Sequence, residues 1–197
     1  MCNTFFLGGL LIAAVSSASV EDSYSITDGI KIINRMEWGG DPPINQTTPL
    51  SVVPPPYVII SHTAGELCST QAKCSQGVRA IQTMHTAIFK WNDIAYNFLV
   101  GGDGNIYEGR GWEIEGAHTY NYNKKSIGIS FIGTFNALAP SDQQLTAAKN
   151  LLEVGVNMGK LAEYYKLLGH RQLSETLSPG DELYKIIQTW PHWSEGP

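Results

Sequence analysis

Short apolar runs alternate along this chain with longer stretches whose apolar residues recur at helical spacing. Tyr57 to Ser61, Ile94 to Val100, Ile106 to Glu108, Ser126 to Ile132 and Leu167 to His170 read as strands. Gly101-Gly-Asp-Gly104 separates two of them as a hairpin turn. Gly77 to Lys90 carries Val78, Ile81, Ile88 and Phe89 on a stripe that also holds His85, which predicts an amphipathic helix. Ser141 is placed to cap a second helix, with Gln144 as its capping-box partner. That helix runs to about Gly159, with Leu145, Ala148, Leu152 and Val156 on one face. A last helix follows Pro179, from Asp181 to about Thr189. Residues 19–31 read as a loose polar arm, Asp41 to Pro56 with six prolines as an irregular extended loop, and Glu66 to Ser75 as a loop. Strands alternating with helices predict an α/β class, a central mixed β-sheet flanked by about three α-helices.

The first eighteen residues change the picture of where the chain works. Phe5 to Val15 is apolar apart from its glycines, and small residues follow at Ser16-Ser-Ala18-Ser19. This reads as a secretory signal peptide cleaved after Ala18, although its start lacks Lys or Arg; a buried N-terminal strand is the alternative. The run is too short to span a membrane. Residues 19–29 would form an N-terminal arm and 30–197 one domain. The net charge of −5 disfavours nucleic acid as a partner. After cleavage Cys68 and Cys74 remain, an even pair that in an exported protein favours a disulfide. Asn45-Gln-Thr47 is an N-glycosylation sequon in a proline-rich, exposed setting.

Chemistry concentrates on two histidines at strand ends, His62 and His170, and on Ser178 eight residues beyond the second. Two imidazoles offer two ligands of a catalytic zinc, which takes three protein ligands and keeps a position for water. The third must be Cys, a carboxylate or another His. A serine hydroxyl stays protonated at neutral pH and is a poor ligand. A groove that persists without its hydrolytic metal is the expectation. Ser178 as a nucleophile would need a base and an orienting group, and the local sequence shows no such signature.

Seven segments together resemble the peptidoglycan recognition protein family of animal innate immunity, which shares its fold with zinc-dependent N-acetylmuramoyl-L-alanine amidases. They are Val58-Ile-Ile-Ser-His-Thr-Ala64, Trp91-Asn-Asp-Ile-Ala-Tyr-Asn-Phe98, Gly104-Asn-Ile-Tyr-Glu-Gly-Arg-Gly-Trp112, Gly116-Ala-His-Thr119, Gly169-His-Arg171, Leu177-Ser-Pro-Gly180 and Trp190-Pro-His-Trp193. The resemblance covers roughly residues 30–193, and the Cys68…Cys74 spacing matches the family's disulfide.

The resemblance implies zinc positions at His62, His170 and Ser178, and amidase positions at Tyr96, which polarises water, and Thr176, which steadies an oxyanion. Four of these five suit catalysis; Ser178 replaces the cysteine ligand, as in non-amidase receptors. It implies no metal cofactor and a muramyl-peptide groove walled by His62, Thr63, His85, Trp91, Tyr96, Arg110, His118 and Asn123. From periodicity alone His85 and Tyr96 would be core residues; without zinc, His170 would be a packed relic. Trp112 and Trp190 read as packing residues. Arg110 is implied to read the extra carboxylate of meso-diaminopimelic acid (DAP), which lysine-type stems lack, because a guanidinium grips a carboxylate bidentately. The family's DAP readers carry Gly-Trp where this chain has Lys90-Trp91, so the match is partial, and Arg110 as an exposed turn residue stays open. The implied function is a secreted receptor that binds peptidoglycan without cleaving it and engages immune signalling or co-receptor proteins. The rival is a hydrolase, either an amidase with another third ligand or a serine-dependent peptidase.

Overall fold

The computed structural model describes residue 1 and residues 29–197. The signal peptide and nearly all of the N-terminal arm lie outside the described residues. Six strands form one sheet: β1 (Ile32–Ile33), β2 (Tyr57–His62), β3 (Phe98–Val100), β4 (Ile106–Glu108), β5 (Ser126–Phe131) and β6 (Lys166–Gly169). Their spatial order is β1-β4-β3-β5-β2-β6. Only β3 and β4, joined by the predicted Gly-rich turn, pair antiparallel; every other pair is parallel, so the sheet is mixed. The helices are α1 (Arg35–Trp38), α2 (Gln71–Thr83), α3 (Asp142–Asn157) and α4 (Asp181–Ile187). Three of them are the predicted ones, and α1 is a single added turn.

Strand alternation divides the core in two. Val58 and Ile60 of β2, Phe98 and Val100 of β3, and Ile127, Ile129 and Phe131 of β5 pack against Ala148, Leu151 and Leu152 of α3 and Leu183 and Ile187 of α4. Trp112 and Trp190 belong to this layer, as expected. On the other side Leu99, Tyr107, Ile33 and Trp38 meet Cys74 and Val78 of α2. The α2 side of β2 and β5 carries smaller residues, Ser61, Gly128 and Ser130. This is the part of the sheet open to loops, and there the site is built.

Several boundaries differ from the sequence reading for local reasons. Helix α2 starts at Gln71, capped by the Thr70 side chain, and so takes in Cys74. Its last turn opens into a π-helical turn, Met84–Ile88, closed by the Phe89 N–H on the Met84 carbonyl at 3.1 Å. The extra residue shifts the helical register. His85 turns inward, while Ile88 and Phe89, expected on the buried stripe, stand 69% and 48% exposed. Ser141 caps α3 through the Gln144 N–H, but the Gln144 side chain does not reach back to the cap. It is buried and donates to the Val100 and Ile132 carbonyls at 2.7 and 3.3 Å, tying α3 to the sheet. Strand β3 begins at Phe98, because the carbonyls of residues 94–97 serve the loops across the site.

Candidate functional site

His62 ends β2, and the chain leaves it through Thr63 into the loop that the Cys68–Cys74 disulfide closes. The Thr63 hydroxyl accepts the Gly133 N–H at 3.0 Å, bracing this loop against the end of β5. The π-helical turn drops His85 toward the sheet, where its ring centroid lies 4.9 Å from Trp91 and 5.7 Å from Tyr96. His85 Nδ1 accepts the Ala95 N–H at 3.0 Å, which only an unprotonated nitrogen can do. Burial, with Arg110 nearby, takes its pKa down to about 4. Trp91 caps the cluster and is 37% exposed.

His118 lies flat on β5: a Cβ on Gly128 would stand 2.2 Å from its ring, so glycine alone leaves it room. Its Nδ1 pairs with the Thr119 hydroxyl at 3.0 Å, and its Nε2 is enclosed without a hydrogen-bond partner among the described residues. Burial, then the charges of His170 and Arg110, takes its pKa down to about 3. Asn123 acts behind it, its Oδ1 accepting the His118 and Thr119 N–H groups at 2.9 and 2.8 Å. Tyr96 leans toward Ser130, whose Oγ closes no hydrogen bond of ordinary geometry; burial raises the phenol pKa. His85, Trp91 and Tyr96 thus form one cluster of rings, His118 lies over β5 within reach of the charges of His170 and Arg110, and His62 and Thr63 stand at the end of β2. Asn123 and Thr63 are engaged as loop braces.

Arg110 is no exposed turn residue. Its Nε donates to the Ile94 carbonyl and its Nη1 to the Glu115 carbonyl, both at 2.7 Å, with a longer contact of 3.5 Å from Nη2 to the Asp93 carbonyl. It thereby knits the segment after α2 to the loop after β4. The residues that fix this arrangement escaped sequence reasoning. Asp93 is buried and takes a bidentate pair from Arg35 at 2.9 and 2.6 Å, plus the Gln82 amide at 3.0 Å and the Ile94 N–H at 2.7 Å. An aspartate among apolar neighbours signals a hidden partner, but 58 residues separate it from Arg35.

The three implied zinc positions converge without matching a zinc donor set. His170, whose pKa burial lowers, is close enough to His62 for their charges to oppose each other. His62 Nδ1 accepts the Phe135 N–H at 3.3 Å, and the Pro179 carbonyl also lies against the ring. Ser178 is buried, and its Oγ accepts the His62 main-chain N–H at 3.1 Å. No group of three His, Cys, Asp or Glu side chains among the described residues is arranged to hold a metal ion. A neutral hydroxyl already serving as an acceptor does not fit the third ligand position. Among the described residues no imidazole or carboxylate hydrogen-bonds to it either, as an activated serine requires. Thr176 is exposed, and its hydroxyl accepts the Ser178 N–H at 3.2 Å. The Cys68–Cys74 disulfide is formed, with Cα atoms 5.1 Å apart. Asn45 is exposed.

A mixed sheet carrying a strand-end His-Thr, a facing Gly-His and a buried position before Pro-Gly is the architecture of an amidase-like domain. The family described as N-acetylmuramoyl-L-alanine amidase matches residues 51–181. Peptidoglycan recognition protein 1 of Mus musculus is 47% identical over 165 residues, covering 83% of this chain and 90% of that protein. Peptidoglycan-recognition protein SC2 of Drosophila melanogaster is 46% identical over 165 residues, covering 84% and 89%. Among solved structures, the ectodomain complex of peptidoglycan recognition proteins LCa and LCx with tracheal cytotoxin gives a TM-score of 0.82 at 52% identity, covering 84% of this chain and 99% of that one. Peptidoglycan recognition protein LE in complex with tracheal cytotoxin, a monomeric DAP-type peptidoglycan, gives 0.81 at 48%, covering 83% and 95%. The chain belongs to the peptidoglycan recognition protein family.

Proposed function

We propose that this protein is a secreted receptor that binds the muramyl-peptide unit of bacterial peptidoglycan, with preference for DAP-type stems, and does not hydrolyse it. The observation that carries the reading is the buried Ser178 hydroxyl, engaged by the His62 N–H, at the position where the resemblance implies a cysteine ligand. Structural relatives with tracheal cytotoxin bound support the ligand class. The groove is lined by neutral imidazoles, aromatic rings and one guanidinium, which suits a sugar and a peptide better than a polyanion. With a net charge of −5, retention at a bacterial surface depends on placed contacts and not on a general field. Secretion rests on the leader at residues 1–18 and on the disulfide. Partners would be immune signalling or co-receptor proteins that bind the occupied groove. A purified sample is expected to bind soluble DAP-type muropeptide, to hold far less than one zinc per chain after dialysis, and to release no stem peptide from peptidoglycan. About one zinc per chain with stem-peptide release would overturn the reading.

A further inference from the structure

We propose that Asn45 carries an N-linked oligosaccharide, rooted beside the Trp91 wall of the groove, where it admits single muropeptides and turns away the cross-linked polymer. The inference rests on the readings of secretion and of the groove just given. Asn45-Gln-Thr47 has the acceptor pattern, an amide with a hydroxyl two residues on. In the transfer, the Asn45 amide nitrogen forms a bond to the anomeric carbon of a lipid-linked oligosaccharide diphosphate. The bond from that carbon to the diphosphate oxygen breaks, the lipid diphosphate leaves with the electron pair, and the nitrogen gives up one proton.

A tripeptide of this kind is common in sequences, and the fold is what gives this one a place. Asn45 is exposed, as are Ile44 and Gln46 on either side. Among the described residues no hydrogen bond engages the Asn45 side chain; the bonds there use its main chain alone. That main chain is held by a single residue, Asn92. The Asn92 Oδ1 accepts the Asn45 N–H at 2.5 Å, its Nδ2 donates to the Asn45 and Gln46 carbonyls at 3.1 and 3.3 Å, and its carbonyl accepts the Ile44 N–H at 2.9 Å. Asn92 directly follows Trp91, the 37% exposed ring packed on His85. The attachment point is therefore fixed relative to the groove wall, although it lies in a loop without regular structure. An oligosaccharide is bulky and hydrated and stays outside the packed protein. Rooted here, it stands over the outer side of Trp91 and the Phe89 ring 5.1 Å from it. Ile44 and Phe89, 60% and 48% exposed, are apolar surface that such a sugar covers. A single muropeptide fits within the groove and meets few of these sugars. A cross-linked network brings neighbouring strands past the same wall and collides with them.

The test uses the full chain expressed in cultured animal cells and collected from the medium, before and after peptide N-glycosidase, beside Asn45→Gln. The glycosidase should lower the mass of the wild type and convert Asn45 to aspartate, and it should leave the mass of Asn45→Gln unchanged. Calorimetry with a soluble muropeptide should give affinities within about twofold for the glycosylated, deglycosylated and variant proteins, because the groove itself is unaltered. Retention on insoluble cross-linked peptidoglycan should rise severalfold in the deglycosylated protein and in the variant alike. Removing the sugar from the folded wild type keeps the comparison valid where the variant folds poorly. A secreted wild type without sugar on Asn45 overturns the site. A glycosylated protein whose retention on the polymer is indifferent to removal of the sugar overturns the filter. A chain that stays inside the cell without sugar sinks the reading of the leader and the site together. A wild type that binds no muropeptide sinks the reading of the groove and the filter with it, while the mass alone still decides the sugar.

Discussion

A thiolate and a hydroxyl differ by a full charge at neutral pH, and position 178 turns on that difference. Ser178→Cys places a sulfur beside His62 and His170 and completes a His₂Cys set of the kind that holds catalytic zinc. We expect one zinc per chain in that variant by metal analysis, and an unchanged metal content would show that the imidazoles are held too rigidly to turn. His85 gives a second residue-scale expectation. Its Nδ1 is spoken for by the Ala95 N–H, so the folded protein resists protonating it until about pH 4, while the unfolded chain takes the proton near 6.5. The unfolded state then binds more protons between these values. Stability is full above about pH 6.5 and falls as pH drops toward 4, by on the order of 3 kcal/mol for this residue. His118 adds to the same slope down to about pH 3. Urea denaturation at pH 7 and pH 4.5 should show the loss, and His85→Gln should flatten it. A flat wild-type profile would mean that the imidazole is not held neutral. Ligand affinity should stay within about twofold from pH 7 to 5.5, since neither imidazole changes charge there. His62 and His118 were visible in the sequence through their motifs, and His85 only through the resemblance, since its periodicity reads as core.

At the scale of elements, what the sequence exposes depends on length. Strands β2 and β5 are apolar runs buried on both faces, and α3 shows its stripe over sixteen residues, so each is readable. Strand β1 has two residues and α1 four, too few for a period to register. The π-helical turn is hidden for another reason. A single-residue insertion leaves no compositional mark, so the stripe through Ile88 and Phe89 points the wrong way. The start of α2 is missed because its first turn faces water on one side and contributes a cystine on the other. Cys74, fully buried in α2, fastens the loop after His62 to the helix that carries His85. Replacing both cysteines with serine should lower stability by about 2–3 kcal/mol in the loop-entropy picture. Muropeptide affinity should fall with it, because Thr63 and His85 then move independently. Chemical denaturation and a binding isotherm on the same sample separate these effects, and an unchanged affinity would show that the Thr63–Gly133 bond alone fixes the loop.

Across the whole molecule, one ion pair gathers stretches distant in sequence beside the site. Arg35 comes from α1, near the start of the described chain, and Asp93 from the segment after the π-helical turn. Arg35 also holds the Gly109 carbonyl after β4, while Asp93 gathers Gln82 from α2. Four separate stretches thus meet at a carboxylate only 2% exposed. The Asp93 and Ile94 carbonyls of this segment, with the Glu115 carbonyl, in turn hold Arg110, so the pair steadies the guanidinium. Asp93→Ala leaves Arg35 and Gln82 without their shared acceptor and uncovers the Ile94 N–H. Breaking such a pair from one side costs about 3–5 kcal/mol. The urea midpoint should drop accordingly, and DAP-type and lysine-type affinities should fall by a common factor as the rim loosens. Asp93→Asn keeps one oxygen for the Ile94 N–H and should lie between the two proteins. An Asp93→Ala variant with an unchanged midpoint would show that the loops stand without the pair. One that lost only DAP binding would place Asp93 in direct service of Arg110 and not of the rim as a whole.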